Sequence, residues 1–295
     1  MAQVLQFQTL QDISSPITPP YDRSPQILAR YNTWDLNGFD VDATADTTRF
    51  EADFSRIPGG TRSILRNGQR SFAAAQLSRP WHKPWGFVIP KIQLHATRYQ
   101  LDSPLANNQM EVNRLLPTFS LDTGLVYERD ASVLGRMLRQ TLEPRAFFVR
   151  TPYKDQSHLP SYDTGATDFN LTTVYSENPY VGHDRIADNN LLTLGMNSRF
   201  FDSNTGAELA RFGFAQRYRF SDQLVRLPGE LPVSSGFSDI LIGAGLRWDN
   251  RWAFDSSLQF DAQTHRMTRT TLTTRFNPTP YRVFNTAYRL SLIHI

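Results

Sequence analysis

The stretch WAFDSSLQFDAQ, Trp252 to Gln263, decides the fold. Taken every second residue, it sets Trp252, Phe254, Ser256, Leu258 and Phe260 against Ala253, Asp255, Ser257, Gln259 and Asp261. Side chains alternate across a β-strand, so as a strand this segment has one apolar and one polar face. Three further segments repeat the pattern. DILIGAGLRWD places Ile240, Ile242, Ala244, Leu246 and Trp248 opposite Gly243, Gly245, Arg247 and Asp249. ARFGFAQRYRF places Phe212, Phe214, Tyr218 and Phe220 opposite Arg211, Gly213, Arg217 and Arg219. GFDVDATAD places Phe39, Val41, Ala43 and Ala45 opposite Asp40, Asp42 and Asp46.

About fourteen such segments of roughly ten residues are separated by turn signals such as DLNG, IPGG, RNGQ and DSNTG. Helical periodicity is weak. Asp130–Leu142 is compatible with a turn or two of helix but reads better as a loop. Longer polar connections are expected near Ser103–Arg114, Thr151–Thr167 and Gln223–Gly236. A soluble sandwich also alternates. Strands of this length exceed the five or six residues usual in globular sheets and match the nine to eleven of a tilted membrane crossing. Arg and Asp in mid-strand suit a wet lumen behind a lipid-facing wall. The expected fold is therefore all-β, an antiparallel transmembrane β-barrel.

Composition bounds the rest. The 295 residues are 40% hydrophobic and 12% aromatic, with net charge +3, which does not point to nucleic acid. Of 31 basic residues only Lys83, Lys91 and Lys154 are lysines, which leaves 28 arginines. Arginine suits fixed bidentate pairing, and a GC-rich genome gives the same excess. No cysteine is present, so neither a disulfide framework nor a thiolate metal site is available. No apolar run is long enough for a membrane-spanning helix, and MAQVLQFQTLQDISS lacks the form of a signal peptide.

RTPYKDQSHLPSYDTG, Arg150 to Gly165, brings Ser157, His158, Asp155 and Asp163 close in sequence. Triads are built from separated segments, and no GxSxG elbow is present, so no catalytic residue is assigned. His95, His158, His183 and His265 lack paired metal-ligand spacing, so no metal or other cofactor is expected. The stretch reads as an ordered rim or lumenal loop, with Lys154 positioned to pair with Asp155 or Asp163. In GHDRIADNN, Asp184 and Arg185 could form an ion pair. In RPWHKPWGFVIPKIQLHATRYQL, Trp81, Trp85 and Tyr99 are expected at the membrane interfaces, with His82 and Lys83 toward headgroups.

RPWHKPWGFVIPKIQLHATRY, LEPRAFFVRTPYKDQSHLPSYDTG and GHDRIADNNLLTLGMNSRFFD together, in this order, resemble the barrel domain of the outer-membrane LPS-assembly (LptD) family. LLPTFSLDTGLVYERD and the strands around Trp252 resemble that family too. The likeness covers roughly residues 20–290. It implies a very large barrel with a plug lipoprotein in its lumen. This assembly receives lipopolysaccharide from periplasmic bridge proteins and inserts it into the outer leaflet of the Gram-negative outer membrane, through a lateral opening between first and last strands. It is a translocon, not an enzyme. The matching blocks point to Pro144, Arg145, Pro152, Tyr153, Asp155, Gln156, Ser157, Tyr162 and Asp163, then Gly182, Asp184, Arg185 and Ile186, as residues holding lumenal loops and the plug interface in register. On that basis Asp155→Ala is expected to weaken barrel assembly or plug retention.

About fourteen strands are fewer than the family barrel needs. Residues 1–290 are therefore expected to be part of a barrel with open edges, lacking the terminal strands of the lateral gate. LSLIHI, Leu290–Ile295, breaks the pattern and matches the translation of a transposase adaptor end, so 291–295 is expected to be a non-native tail. A porin or TonB-dependent receptor shares the period-two signal. A soluble sandwich that extracts without detergent, or an outer-membrane enzyme with a Ser/His set on facing strands, are the readings from other classes.

Overall fold

The computed structural model describes residues 1–7, 19–53, 65–105, 107–133, 135–249 and 251–292. Its strands are β1 Ala2–Leu5, β2 Asp22–Leu36, β3 Phe39–Glu51, β4 Gly68–Ser78, β5 Trp81–Lys83, β6 Gly86–Leu101, β7 Glu111–Leu125, β8 Tyr127–Val133 and β9 Arg136–Thr151. Then come β10 Gly165–Ala166, β11 Tyr180–Val181, β12 Asn189–Asp202, β13 Glu208–Arg219, β14 Gly236–Phe237, β15 Ile240–Arg247, β16 Trp252–Asp261, β17 Arg266–Thr279 and β18 Arg282–Ser291. No helix is present among the described residues.

All but β10 and β11 belong to one 16-stranded sheet, in the order β1-β2-β3-β4-β6-β7-β9-β12-β13-β15-β16-β17-β18. The short strands β5, β8 and β14 extend this path by pairing with β6, β9 and β13. Every pairing is antiparallel. The outermost strands β1 and β18 each have one neighbour, so the sheet is open, as expected of a partial barrel. Several strands run longer than expected, β6 and β9 reaching 16 residues. In β9 the surplus lies at a rim, where it pairs with β8 and its exposed Glu128, Arg129 and Asp130.

The two rims differ. At one, connections are tight: residues 37–38, 84–85, 134–135, 203–207, 248–251 and 280–281. At the other, Glu51 and Gly68, Leu101 and Glu111, Thr151 and Asn189, and Arg219 and Gly236 are strand ends farther apart in sequence, with Asp261 and Arg266 the close exception. In bacterial outer-membrane barrels the short turns face the periplasm. Asp130–Leu142 is neither helix nor loop but a hairpin, with Ala131 opposite Leu138 and Asp130 opposite Arg139. Gly135, at φ 76°, supplies the left-handed residue that this turn needs. The connection expected near Ser103–Arg114 is confined to 102–110, because Glu111–Arg114 already pair with β6. The longest connection runs to residue 188 rather than Thr167 and contains only the small β10–β11 pair. The IPGG turn lies outside the described residues. Leu290 and Ser291, expected to break the pattern, still pair with Thr270 and Arg269. Residues 293–295 lie outside the described residues.

The burial pattern inverts that of a soluble sheet. Along β7, Arg114, Thr118 and Ser120 are buried at 3%, 3% and 2%, while Leu115 and Phe119 between them are 55% and 38% exposed. Ile92, Leu94, Phe212, Phe214, Ile242, Leu246 and Phe254 share the exposed face. Cross-strand pairs such as Ile92 with Phe119, Phe214 with Ile242 and Leu246 with Phe254 make this face continuous. The described chain exposes 18288 Å². A compact soluble monomer of this mass exposes about 13,000 Å². Apolar surface costs roughly 25 cal/mol per Å² in water, so a mainly apolar face of this extent suits lipid and not solvent.

Candidate functional site

The charged face of the sheet, here the inner face, carries the 152–188 connection. Strand parity delivers the anchors. Asp46 and Thr48 on β3, Arg70 and Phe72 on β4, Thr97 and Tyr99 on β6, and Arg114 on β7 all point inward and are buried. Arg70 has no exposed side-chain surface. It donates from Nη1 and Nη2 to the two carboxylate oxygens of Asp163 (2.6 and 2.7 Å) and from Nη1 to Asp184 Oδ1 (2.7 Å). Asp46 lies 3.9 Å away, and the guanidinium sits 4.9 Å above the Phe50 ring. Asp184 Oδ1 also accepts from the Tyr99 hydroxyl (3.0 Å), and its Oδ2 accepts from the backbone N–H of Tyr162 and Asp163 (2.7 and 3.0 Å). Removing one partner from such a network strands a buried charge, which is why buried pairs resist single substitution.

Arg114 is the second anchor. It donates to Gln156 Oε1 (2.7 Å), Thr97 Oγ1 (2.9 Å) and the His183 carbonyl (2.6 Å), and to the Asp184 carbonyl. The Gln156 amide in turn brackets Ile186, accepting from its N–H (3.0 Å) and donating to its carbonyl (2.8 Å). A side chain thus supplies both bonds that a neighbouring strand would provide. Arg185 donates to the carbonyls of Leu159 (2.7 Å) and Pro160 (3.1 Å). Tyr162 stacks on Phe50 at 4.3 Å and meets Tyr21 edge-on at 4.9 Å. Gly182 is required where it stands: its φ is +72°, and a Cβ there lies 2.6 Å from Asp163 Oδ1.

Further attachments continue across the sheet. Lys91 on β6 pairs with Glu177 at 2.9 Å. Arg145 on β9 grips Asp122 through two bonds (2.8 and 2.5 Å) and lies 4.1 Å over the Tyr175 ring. Arg217 on β13 donates to the Val174 carbonyl, and Arg269 on β17 reaches Asp168 at 3.4 Å. The 220–235 connection docks on the same segment, where Gln223 donates to the Tyr180 hydroxyl (3.0 Å) and Asp188 accepts from the Val225 N–H (2.8 Å).

Burial alone raises Asp163, but the hydrogen bonds and charge of Arg70 overcome it and hold that carboxyl well below the usual carboxylate range. Burial, then the Arg70 charge, pushes His183 down, its ring stacked on Phe72 at 3.9 Å. Burial raises the Tyr162 phenol.

Of the residues singled out in the sequence, Gln156, Tyr162, Asp163, Gly182, Asp184, Arg185 and Ile186 meet in one place. Arg145 belongs to a separate attachment at Tyr175. Pro144 is on the opposite, outer face: it pairs with exposed Met196, one strand position from inward-facing Arg145. Pro152, Tyr153, Asp155 and Ser157 are exposed, Asp155 bonding locally to the Ser157 N–H (2.9 Å) and His158 (3.4 Å). The expected Lys154 pairing is replaced by Arg70 at Asp163, and the expected Asp184–Arg185 pair by Arg70 at Asp184. Tyr99 is not an interface aromatic. Val88 faces outward, and eleven positions on, the alternation turns Tyr99 inward to 0% exposure. Trp81 and Trp85 are exposed at the short-turn rim, with Trp34, Tyr127, Trp248 and Tyr281. The strand partners Arg70 and Arg114 escaped the sequence reading, although each occupies the polar phase of its strand.

The family profile described as LPS transport system D (LptD) matches residues 1–291. The chain belongs to the LptD family. It is 53% identical over 293 residues to the LPS-assembly protein LptD of Polaromonas sp. strain JS666, covering 97% of this chain and 35% of that protein. The Acidovorax sp. strain JS42 protein of the same name is 51% identical, with 99% and 35% covered, and that of Ralstonia nicotianae 41%, with 98% and 35%. The chain thus spans about a third of the length of the LptD proteins it matches. The strapped segment lies well inside the matched region.

Proposed function

We propose that this chain is barrel wall of a lipopolysaccharide translocon in the Gram-negative outer membrane, which inserts lipopolysaccharide into the outer leaflet. The observation that carries the reading is the division of the sheet. A mainly apolar face lies outward, and a polar face inward holds a 37-residue connection, 152–188, by buried arginines. Family membership supplies the cargo, since the relatives are named LPS-assembly proteins. On this reading the strapped segment gives the lumen a fixed surface against which a plug lipoprotein seats. Periplasmic bridge proteins are met through other parts of the full-length protein. The work is transport, and no residue is assigned a catalytic step.

Depletion of the full-length parent protein tests this. Surface lipopolysaccharide is expected to fall while lipopolysaccharide accumulates on the periplasmic side. Unchanged surface lipopolysaccharide with lost uptake of a small solute defeats the reading and points to a porin or receptor.

A further inference from the structure

Some of the cations of this chain find carboxylates. On the inner face Arg70, Lys91, Arg145 and Arg211 are paired. On the outer face at the long-loop rim, Arg49 bonds Asp102 and Arg98 bonds Glu111. Arg79 is different. It is exposed and forms no ion pair among the described residues, and its guanidinium lies 4.9 Å over the Phe39 ring and 5.3 Å over the Trp81 ring. Phe39 shares the outward phase of Val41, and Trp81 pairs with exposed Val88, so the seat is on the apolar face. Lys83 follows Trp81 on the same side, exposed and also without an ion pair among the described residues. The seat lies at the short-turn rim, beside Trp85. A cation held by two aromatic rings on an apolar wall keeps its hydrogen-bond donors free. At the membrane interface those donors are open to an anion from the lipid itself, because no carboxylate of the described chain pairs with them.

We propose that Arg79, seated between Phe39 and Trp81 and followed by Lys83, binds the phosphate of a phospholipid headgroup. The source is the periplasmic leaflet, since short turns mark that rim. The proposal rests on reading the outward face as lipid-facing. It adds a fixed lipid contact, which would set the depth and tilt of this part of the wall.

The test is native mass spectrometry of the full-length protein carrying this segment, purified in detergent and titrated with phosphatidylglycerol, dioleoylglycerol or lipopolysaccharide. Arg79→Gln is expected to lower retention of phosphatidylglycerol about tenfold, the worth of one charge-assisted phosphate contact. Dioleoylglycerol, with the same chains and no phosphate, should be retained equally by both proteins, and Arg79→Lys should keep most of the binding. Heat-modifiable migration verifies that each variant is folded. If Arg79→Gln does not fold, Lys83→Gln serves, with a smaller loss of phosphatidylglycerol alone. Phosphatidylglycerol retention unchanged in the variant overturns the proposal, as does equal loss of dioleoylglycerol. Selective loss of lipopolysaccharide assigns the seat to the other leaflet and overturns it too. Failure of dioleoylglycerol to bind the unaltered protein instead defeats the lipid-facing reading beneath it.

Discussion

Asp184 has no exposed side-chain surface, yet its two oxygens accept from Arg70, Tyr99 and the backbone of Tyr162 and Asp163. Asp184→Ala leaves Arg70 with one partner fewer in a site closed to water. It is expected to cost about 3–5 kcal/mol, the range for breaking a buried pair, measurable as a lower urea midpoint of the full-length protein. Asp155 presents the contrast. Its place in the family-like block beside Gln156 suggested an assembly role, but the carboxylate is 54% exposed and serves a local turn. Asp155→Ala should therefore cost about 1 kcal/mol or less by the same measurement. A larger loss for Asp155→Ala than for Asp184→Ala would reverse this ranking. Gly182→Ala combines a left-handed backbone with a Cβ placed against Asp163. Strain of that kind costs about 1–3 kcal/mol, and the folded yield of the variant should drop accordingly.

At the scale of the element, the 152–188 segment is held by side chains and not by a sheet ladder, so its attachment depends on charge. The sign of the pH effect follows from its two shifted groups. Both Asp163 and His183 are depressed in the docked state. A depressed group binds protons less readily when docked, so the docked state gains stability as pH rises and loses it as pH falls. For His183 that loss begins as pH drops through about 6.5, the range of a free histidine, and Asp163 adds to it below about 4. Hydrogen exchange in residues 156–187 should therefore quicken between pH 7.5 and 5.5 relative to the β6–β7 ladder. The same ratio of segment to ladder rates at both values would contradict this. Little of this element was legible beforehand. The blocks around Gln156 and Asp184 stood out, but their partners Arg70 and Arg114 lie some 114 and 70 residues from Asp184. Spacing along the chain says nothing of such pairs; only the register of β4, β6 and β7 brings them together.

For the whole molecule, alternation did most of the work. Phe254, Phe212 and Ile242 face outward as their parity requires, and Asp255, Arg211 and Gln259 face inward. The same parity rule would have placed Tyr99 inside, had its strand been phased from Val88 rather than judged by its distance from Trp85. A hairpin at Asp130–Leu142 was illegible because its two strands are rich in polar residues at the rim, where only Leu138 and Thr141 are buried. If the outward face meets lipid, Ile92→Arg should cost about 2–4 kcal/mol of insertion when it sits near the midplane, read as reduced folding into vesicles. Gln93→Arg, one step along β6 and facing inward, should be tolerated.

The most direct measurement is spin-label accessibility at neighbouring positions of β7 in the full-length protein, embedded in a bilayer. Labels introduced at Leu115 and Phe119 should collide freely with oxygen and hardly at all with a water-soluble nickel complex, as lipid-exposed sites do. Labels at Thr118 and Ser120 should be shielded from both by the strapped segment. Loss of that alternation, or nickel access at Leu115 and Phe119, would contradict a wall with lipid on one side and an arginine-held lumen on the other.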